Sequence, residues 1–299
     1  MKKNVEFYSE GSLVKGILYL PDNYKENEKM PAILLCHGFA GVKELLLPNY
    51  AEEFSKNGFI ALTFDYRGFG ESEGQPGKLS PPAQITDIRN AITFLQSLAE
   101  VDPDKLGLWG TSFGGANAIA AAALDKRIKC LSIQLAFGDG ERVITGNLST
   151  EEKEKLEATI MKIWTRAVTQ NKMMHVPIHK VLTDEQSIEF YNKTVDKHPE
   201  LNIKIPFLTI METMEHKPEK YLETIHIPIL IMAAENDKVN PKEESEILYQ
   251  KANEPKELYI VKGASHYEVY EGEFFKEVAA KQLDWFKKYL PGAWLSENS

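Results

Sequence analysis

Between residues 30 and 137 the chain alternates four apolar runs of strand length with three helical stripes, and no other feature restricts the fold as much. The runs are "MPAILLCHGFAG", "FIALTFDYRG", "KLGLWG" and "IKCLSIQLAF", starting at 30, 59, 105 and 128. A strand that is apolar at successive residues must bury both faces. It therefore fits the interior of a parallel sheet covered by helices on each side. The intervening segments supply those helices. "PPAQITDIRNAITFLQSLAE" (81–100) places apolar residues at 85, 88, 92 and 95 behind two prolines at its entrance. "KELLLPNYAEEFSKNG" (43–58) starts or kinks at Pro48 and closes on Gly58, and "ANAIAAAALDK" (116–126) is rich in alanine. Upstream, "VEFYS" and "LVKGILYLP" read as two short strands turning at Glu10-Gly11-Ser12.

The alternation stops at Gly138 and resumes at "IPILIMAAENDKVNP" (227–241). After it come a helix, "KEESEILYQKAN", a strand, "KELYIVKG", and a long final helix, "EFFKEVAAKQLDWFKKYL". The interrupting segment is mostly helical and richer in Met, His and Lys. Its first long helix opens on Ser149 and Glu152, spaced as a capping box, and carries apolar residues at 156, 160, 163, 164 and 167. "DEQSIEFYNKTVDK" (184–197) predicts a second helix. The expected organisation is one sheet domain, residues 1–137 with 227–299, interrupted by a helical insertion at 138–226.

Composition narrows the partners. The 299 residues carry a net charge of -9, and no basic stripe is present for nucleic acid to bind. No apolar run approaches the ~18 residues that would span a bilayer. The opening "MKKNVEFYSEG" has charge but no apolar stretch behind it, so no signal peptide is read there. A cytoplasmic protein with no nucleic-acid or membrane partner is expected. Cys36 and Cys130 lie in apolar runs without metal-ligand spacing and are expected to be buried, inert thiols. His175 and His179 stand four apart, but Pro177 separates them and no carboxylate accompanies them as in HExxH. No metal and no cofactor are expected. The oligomeric state is left open, a homodimer included.

The pattern G-x-S-x-G, which can mark a nucleophilic serine, occurs twice, as "GESEG" (70–74) and "GTSFG" (110–114). Ser72 sits in "DYRGFGESEGQPGKLS", flanked by glutamates and followed by no apolar helix. That stretch reads as a structural loop, with Arg67 tying down a nearby carboxylate. Ser112 instead joins the strand "KLGLWG" directly to the helix "FGGANAIAAAALDK". Such a turn holds a serine exposed beyond the sheet edge, with glycines at 110, 114 and 115 where side chains would collide. A hydroxyl needs a base, and the base an orienting acid. His266, in "GASHYEVY" after the strand "KELYIVKG", is the expected base. Asp237, in "ENDKVNP", is preferred as the acid over Asp139 in "AFGDG". The backbone N–H groups of Phe113 and Phe39 are the expected oxyanion donors. His37 is read as bracing its loop.

In this order, "HGFAG", "DYRGFGESEG", "GTSFGG", "ENDKVNP" and "GASH" resemble the α/β-hydrolase superfamily, and within it the dienelactone hydrolase and acetyl-xylan-esterase-like group. The resemblance implies a mostly parallel eight-stranded sheet with helices on both faces and a helical cap inserted after the sixth strand. It also implies a Ser112–Asp237–His266 triad without a metal. Dienelactone hydrolase uses a cysteine nucleophile where this chain has Ser112. The leading expectation is hydrolysis of a carboxylic ester or thioester of a small, partly apolar substrate through an acyl-enzyme. Carbon–carbon bond hydrolysis, peptidase action, acyl transfer and a low-turnover receptor are the alternatives. The insertion is expected to roof the pocket. The stripe with Ile160, Ile163 and Trp164 would pack within the insertion or partly line the pocket, with Met173, Met174, Met211 and Met214 adding adaptable apolar surface.

Overall fold

A computed structural model describes residues 1–22, 24–26 and 28–292. Eight strands form one sheet: β1 (Lys2–Ser9), β2 (Ser12–Tyr19), β3 (Met30–Cys36), β4 (Ile60–Phe64), β5 (Val101–Thr111), β6 (Ile128–Gln134), β9 (Ile229–Ala234) and β10 (Lys256–Val261). Their spatial order is β1-β2-β4-β3-β5-β6-β9-β10. β2 runs antiparallel to β1 and β4, and the remaining pairs are parallel. The runs apolar at successive residues do occupy the interior: every residue of β3, β4 and β9 is buried. β3 divides its side chains by alternation. Ala32, Leu34 and Cys36 enter one core layer, while Ile33 and Leu35 enter the other.

Helices cover each layer. α2 (Pro81–Ser97), α3 (Phe113–Leu124) and α8 (Lys242–Lys251) contribute Ile88, Ile92, Ile119 and Leu248 to the first. α1 (Leu47–Lys56) and α9 (Gly272–Tyr289) contribute Tyr50, Phe54 and Phe286 to the second. α1 begins at Leu47, so Pro48 stands in its first turn, where a missing N–H costs nothing. The β1–β2 turn falls at Glu10 and Gly11, both at positive φ.

The chain leaves the sheet after β6 and returns at β9. Between them lie α4 (Gly140–Thr145), α5 (Thr150–Gln170), α6 (Glu185–Thr194), α7 (Thr209–Glu215) and a two-stranded ribbon of β7 (His175–Pro177) and β8 (Lys204–Pro206). The capping box at Ser149 and Glu152 starts α5, each side chain bonding the other's backbone N–H. Ile160 and Ile163 pack against Leu208, Ile210, Met211 and Met214. Trp164 does not join them, being 42% exposed, and Met173 and Met174 are also exposed. At 100° per residue, position 164 lies at the edge of the stripe defined by 156, 160, 163 and 167. Among the described residues, no helix is long and apolar enough to cross a membrane.

Candidate active site

Ser112 occupies the turn between β5 and α3 with φ 52° and ψ -122°, a left-handed conformation that is strained for a residue with a side chain. The glycines around it permit the crossing. A Cβ on Gly114 would lie 2.3 Å from the His37 carbonyl oxygen, and one on Gly110 would lie 2.6 Å from that of Gly114. The Ser112 N–H is anchored on the Gln134 carbonyl at 2.9 Å. α3 therefore starts directly beneath the hydroxyl, and its positive end faces any anion formed there.

The acid and base meet at neighbouring strand ends. His266 Nδ1 lies 2.7 Å from Asp237 Oδ2, and both side chains are almost wholly buried. Asp237 Oδ1 accepts the N–H groups of Val239 and Asn240 at 2.8 Å each, which fixes the carboxylate plane. A carboxylate accepts, so Nδ1 carries the proton and Nε2 is left free to act as a base. Ser112 and His266 line the same cavity. No hydrogen bond joins the Ser112 hydroxyl to the His266 ring in this structure. Ser112 Oγ instead accepts from Asn240 Nδ2 at 3.2 Å, and the same amide donates to the Leu135 carbonyl at 2.7 Å. That bond occupies a lone pair and leaves the hydroxyl proton free to be delivered. Asn240 escaped the sequence reading, although it lies three residues beyond Asp237 in "ENDKVNP".

Among the described residues, the N–H groups of Phe39 and Phe113 meet no protein acceptor. Phe113 is the first residue of α3, where helix geometry leaves an N–H unpaired. The Phe39 loop lies against the serine: a Cβ on Gly38 would be 3.3 Å from that of Ser112. His37 is buried, with Nδ1 3.1 Å from the Gly38 carbonyl and its ring edge-on to Tyr66, as expected for a bracing residue.

The other candidates have structural engagements. Ser72 Oγ donates to the Asp65 carbonyl at 2.8 Å and accepts the Lys15 N–H at 2.9 Å, pinning its loop to β2. Arg67 pairs with Asp87 and Glu10. Asp139 caps α4 through the N–H groups of Glu141 and Arg142 and pairs with Lys217 at 3.0 Å. Lys43, which sequence reasoning did not single out, is buried with its Nζ 2.8 Å from the fully buried Asp65. This pair joins the glycine-rich loop to the segment leading into Leu45 and Leu46, which line the cavity.

The cavity measures about 80 Å³. Leu45, Leu46 and Leu47 form one wall, and Tyr267 and Tyr270 from the His266 turn contribute another. The insertion supplies Ile178, Leu182, Phe190, Tyr191 and Leu201. These come from the segment around α6, while α5 contributes none of the cavity lining. The stripe on α5 packs within the insertion, and the four methionines do not line the cavity.

His216, from the end of α7, packs against the rings of Phe113 and Phe137. Burial pushes its imidazole down from 6.5 to about 4. Below pH 6.5 the unfolded chain binds a proton here that the native state refuses. This contribution is therefore present above 6.5 and lost as pH falls towards 4, on the order of 3 kcal/mol in all. Urea unfolding at pH 7.5 and 4.5 should show a smaller acid-side loss in His216→Phe than in the parent. An unchanged pH dependence would contradict the assignment.

A serine at a glycine-lined strand–helix turn on this sheet, with a His–Asp pair at the neighbouring strand ends, defines the class: the fold is that of the α/β hydrolases. The chain belongs to the family described as serine aminopeptidase, S33, whose model matches residues 27–273. An uncharacterized 31.7 kDa protein of the traX-finO intergenic region of Escherichia coli is 44% identical over 265 residues, 88% of this chain and 93% of its own. The quorum-quenching protein AidA of Acinetobacter baumannii is 28% identical over 297 residues, 96% of this chain and 95% of its own. The structure of DcsB in complex with its substrate analogue superposes with a TM-score of 0.83 at 26% identity, covering 97% of this chain and all of that one. Relatives described as thiohydrolases, and structural neighbours described as an esterase domain and an acetyl xylan esterase, are also similar to it.

Proposed function

We propose that the protein hydrolyses a carboxylic ester or thioester with an apolar acyl or alcohol portion, through an acyl-enzyme on Ser112. The observation that carries this reading is the buried 2.7 Å His266–Asp237 contact beside a serine held at φ 52° in the same apolar cavity. In the acylation step Ser112 Oγ attacks the carbonyl carbon as its proton passes to His266 Nε2. The carbonyl oxygen becomes an oxyanion facing the Phe39 and Phe113 N–H groups. Collapse breaks the bond to the alcohol or thiol, which leaves with the proton from His266. Water then gives a proton to the same nitrogen as it attacks the acyl carbon, and collapse of the second tetrahedral intermediate returns that proton to Ser112 Oγ as the acid leaves. Asp237 keeps the proton on Nδ1 and offsets the charge of the imidazolium. Residues 138–226 act as a cap, with the α6 segment selecting the acyl or alcohol group. The thiohydrolase relatives support the thioester branch.

A panel of p-nitrophenyl esters, acyl thioesters and aminoacyl anilides tests the proposal. Turnover of esters or thioesters that vanishes in Ser112→Ala supports it. Turnover of the anilides alone would move the reading to a peptidase, and absence of turnover throughout would favour a binding protein.

A further inference from the structure

Gln186, in the first turn of α6, makes three hydrogen bonds to the two loops that carry the acid and the base. Its Oε1 accepts the Lys238 N–H at 3.2 Å and the His266 N–H at 3.3 Å, while Nε2 donates to the Asn236 carbonyl at 3.0 Å. Lys238 and Asn236 flank Asp237. A carboxamide suits this place because it combines an acceptor with two lone pairs and a donor. The same helix continues the contact: Ser187 Oγ lies 3.0 Å from Tyr267 OH, and the Phe190 ring stacks on that of Tyr267 at 4.2 Å with 7° between planes. The start of α6 is fixed in turn by Asp184, which accepts the Ser187 N–H at 2.8 Å. Ser187, Phe190 and Tyr191 line the cavity beside Ser112, whereas Gln186 does not.

We propose that Gln186 is a positioning residue that couples occupancy of the cavity to alignment of the Asp237–His266 pair. The inference rests on the ester-hydrolase reading above. A chain filling the cavity contacts Ser187, Phe190 and Tyr191 only when α6 is docked, and docked α6 brings Gln186 onto both loops. Binding energy from a remote part of the substrate is thereby expressed in the transition state and raises kcat with little change in KM. A short acyl group leaves that face of α6 untouched and gains less.

The test compares p-nitrophenyl acetate with p-nitrophenyl octanoate in the parent, Gln186→Met and Ser112→Ala. Methionine keeps the length of the side chain and removes all three bonds. The parent should show the higher kcat on octanoate. Gln186→Met should lower that kcat about tenfold or more while KM stays within about threefold, and should affect acetate less. Equal losses on both esters, a change in KM alone, or unchanged kinetics would overturn the coupling. If the variant does not fold, hydrogen exchange on the parent decides. After labelling of Ser112 with an octyl or a methyl phosphonate, the Lys238 and His266 amides should exchange about tenfold more slowly with the octyl group. Equal exchange would overturn the proposal. A parent without turnover, or turnover surviving in Ser112→Ala, would instead remove the hydrolase reading beneath it.

Discussion

Replacing Ser112 by alanine is expected to lower kcat on an ester substrate by roughly 10³–10⁶-fold with the fold intact. The fold should survive because the hydroxyl makes one protein hydrogen bond, from Asn240, whose amide keeps its bond to the Leu135 carbonyl. Ser72→Ala is the contrasting change. It removes a donor to the Asp65 carbonyl and an acceptor for the Lys15 N–H, costing stability of about 1–3 kcal/mol. Its kcat should stay within a few-fold of the parent. Steady-state kinetics and urea unfolding on both variants check the pair, and the reverse pattern would transfer the nucleophile to the glycine-rich loop.

Asp237→Asn should cost about 10⁴ in kcat. The Val239 and Asn240 N–H groups require an acceptor, so the carboxamide oxygen takes the Oδ1 place and the NH₂ group turns towards His266. The ring must then accept at Nδ1 and carry its proton on Nε2, the wrong tautomer for receiving a proton from serine. Asp139→Asn should leave kcat within a few-fold. Its carboxylate is engaged with the α4 N-terminus and Lys217, where asparagine still caps. Comparison of kcat for the two variants at saturating ester distinguishes them, and the opposite ranking would move the acid to the end of β6.

The candidates Ser112, Asp237 and His266 are legible because each stands just past an apolar strand, Ser112 directly after β5 and the others in the turns after β9 and β10, in the chain order serine, acid, histidine. The following segment separates Ser112 from Ser72, since the two share their glycine spacing and only the former leads directly into a helix. Asn240 and Gln186 lack such a signature. Their roles depend on side chains that reach other segments, 128 residues away in sequence for Asn240 and Ser112. The buried Lys43 was hidden for the same reason: its partners Asp65 and Glu71 lie in a different loop. Within the insertion, α5 followed from its capping residues and apolar spacing, and 184–197 was read as a second helix, where α6 lies. The three-residue strands β7 and β8 are too short to show a period, and both end in proline. Which helix faces the cavity depends on tertiary packing. The apolar stripe of α5 fitted either role, and contact with α7 assigned it to the interior of the insertion.

Peptide mapping after reaction with a fluorophosphonate tests Ser112 as the nucleophile, because the reagent marks a serine only where a working base and oxyanion site surround it. A single adduct is expected on the peptide carrying Ser112, reduced sharply in Asp237→Asn and unaffected in Ser72→Ala. An adduct on Ser72, or an ester-hydrolysing protein whose Ser112 stays unlabelled, would contradict it.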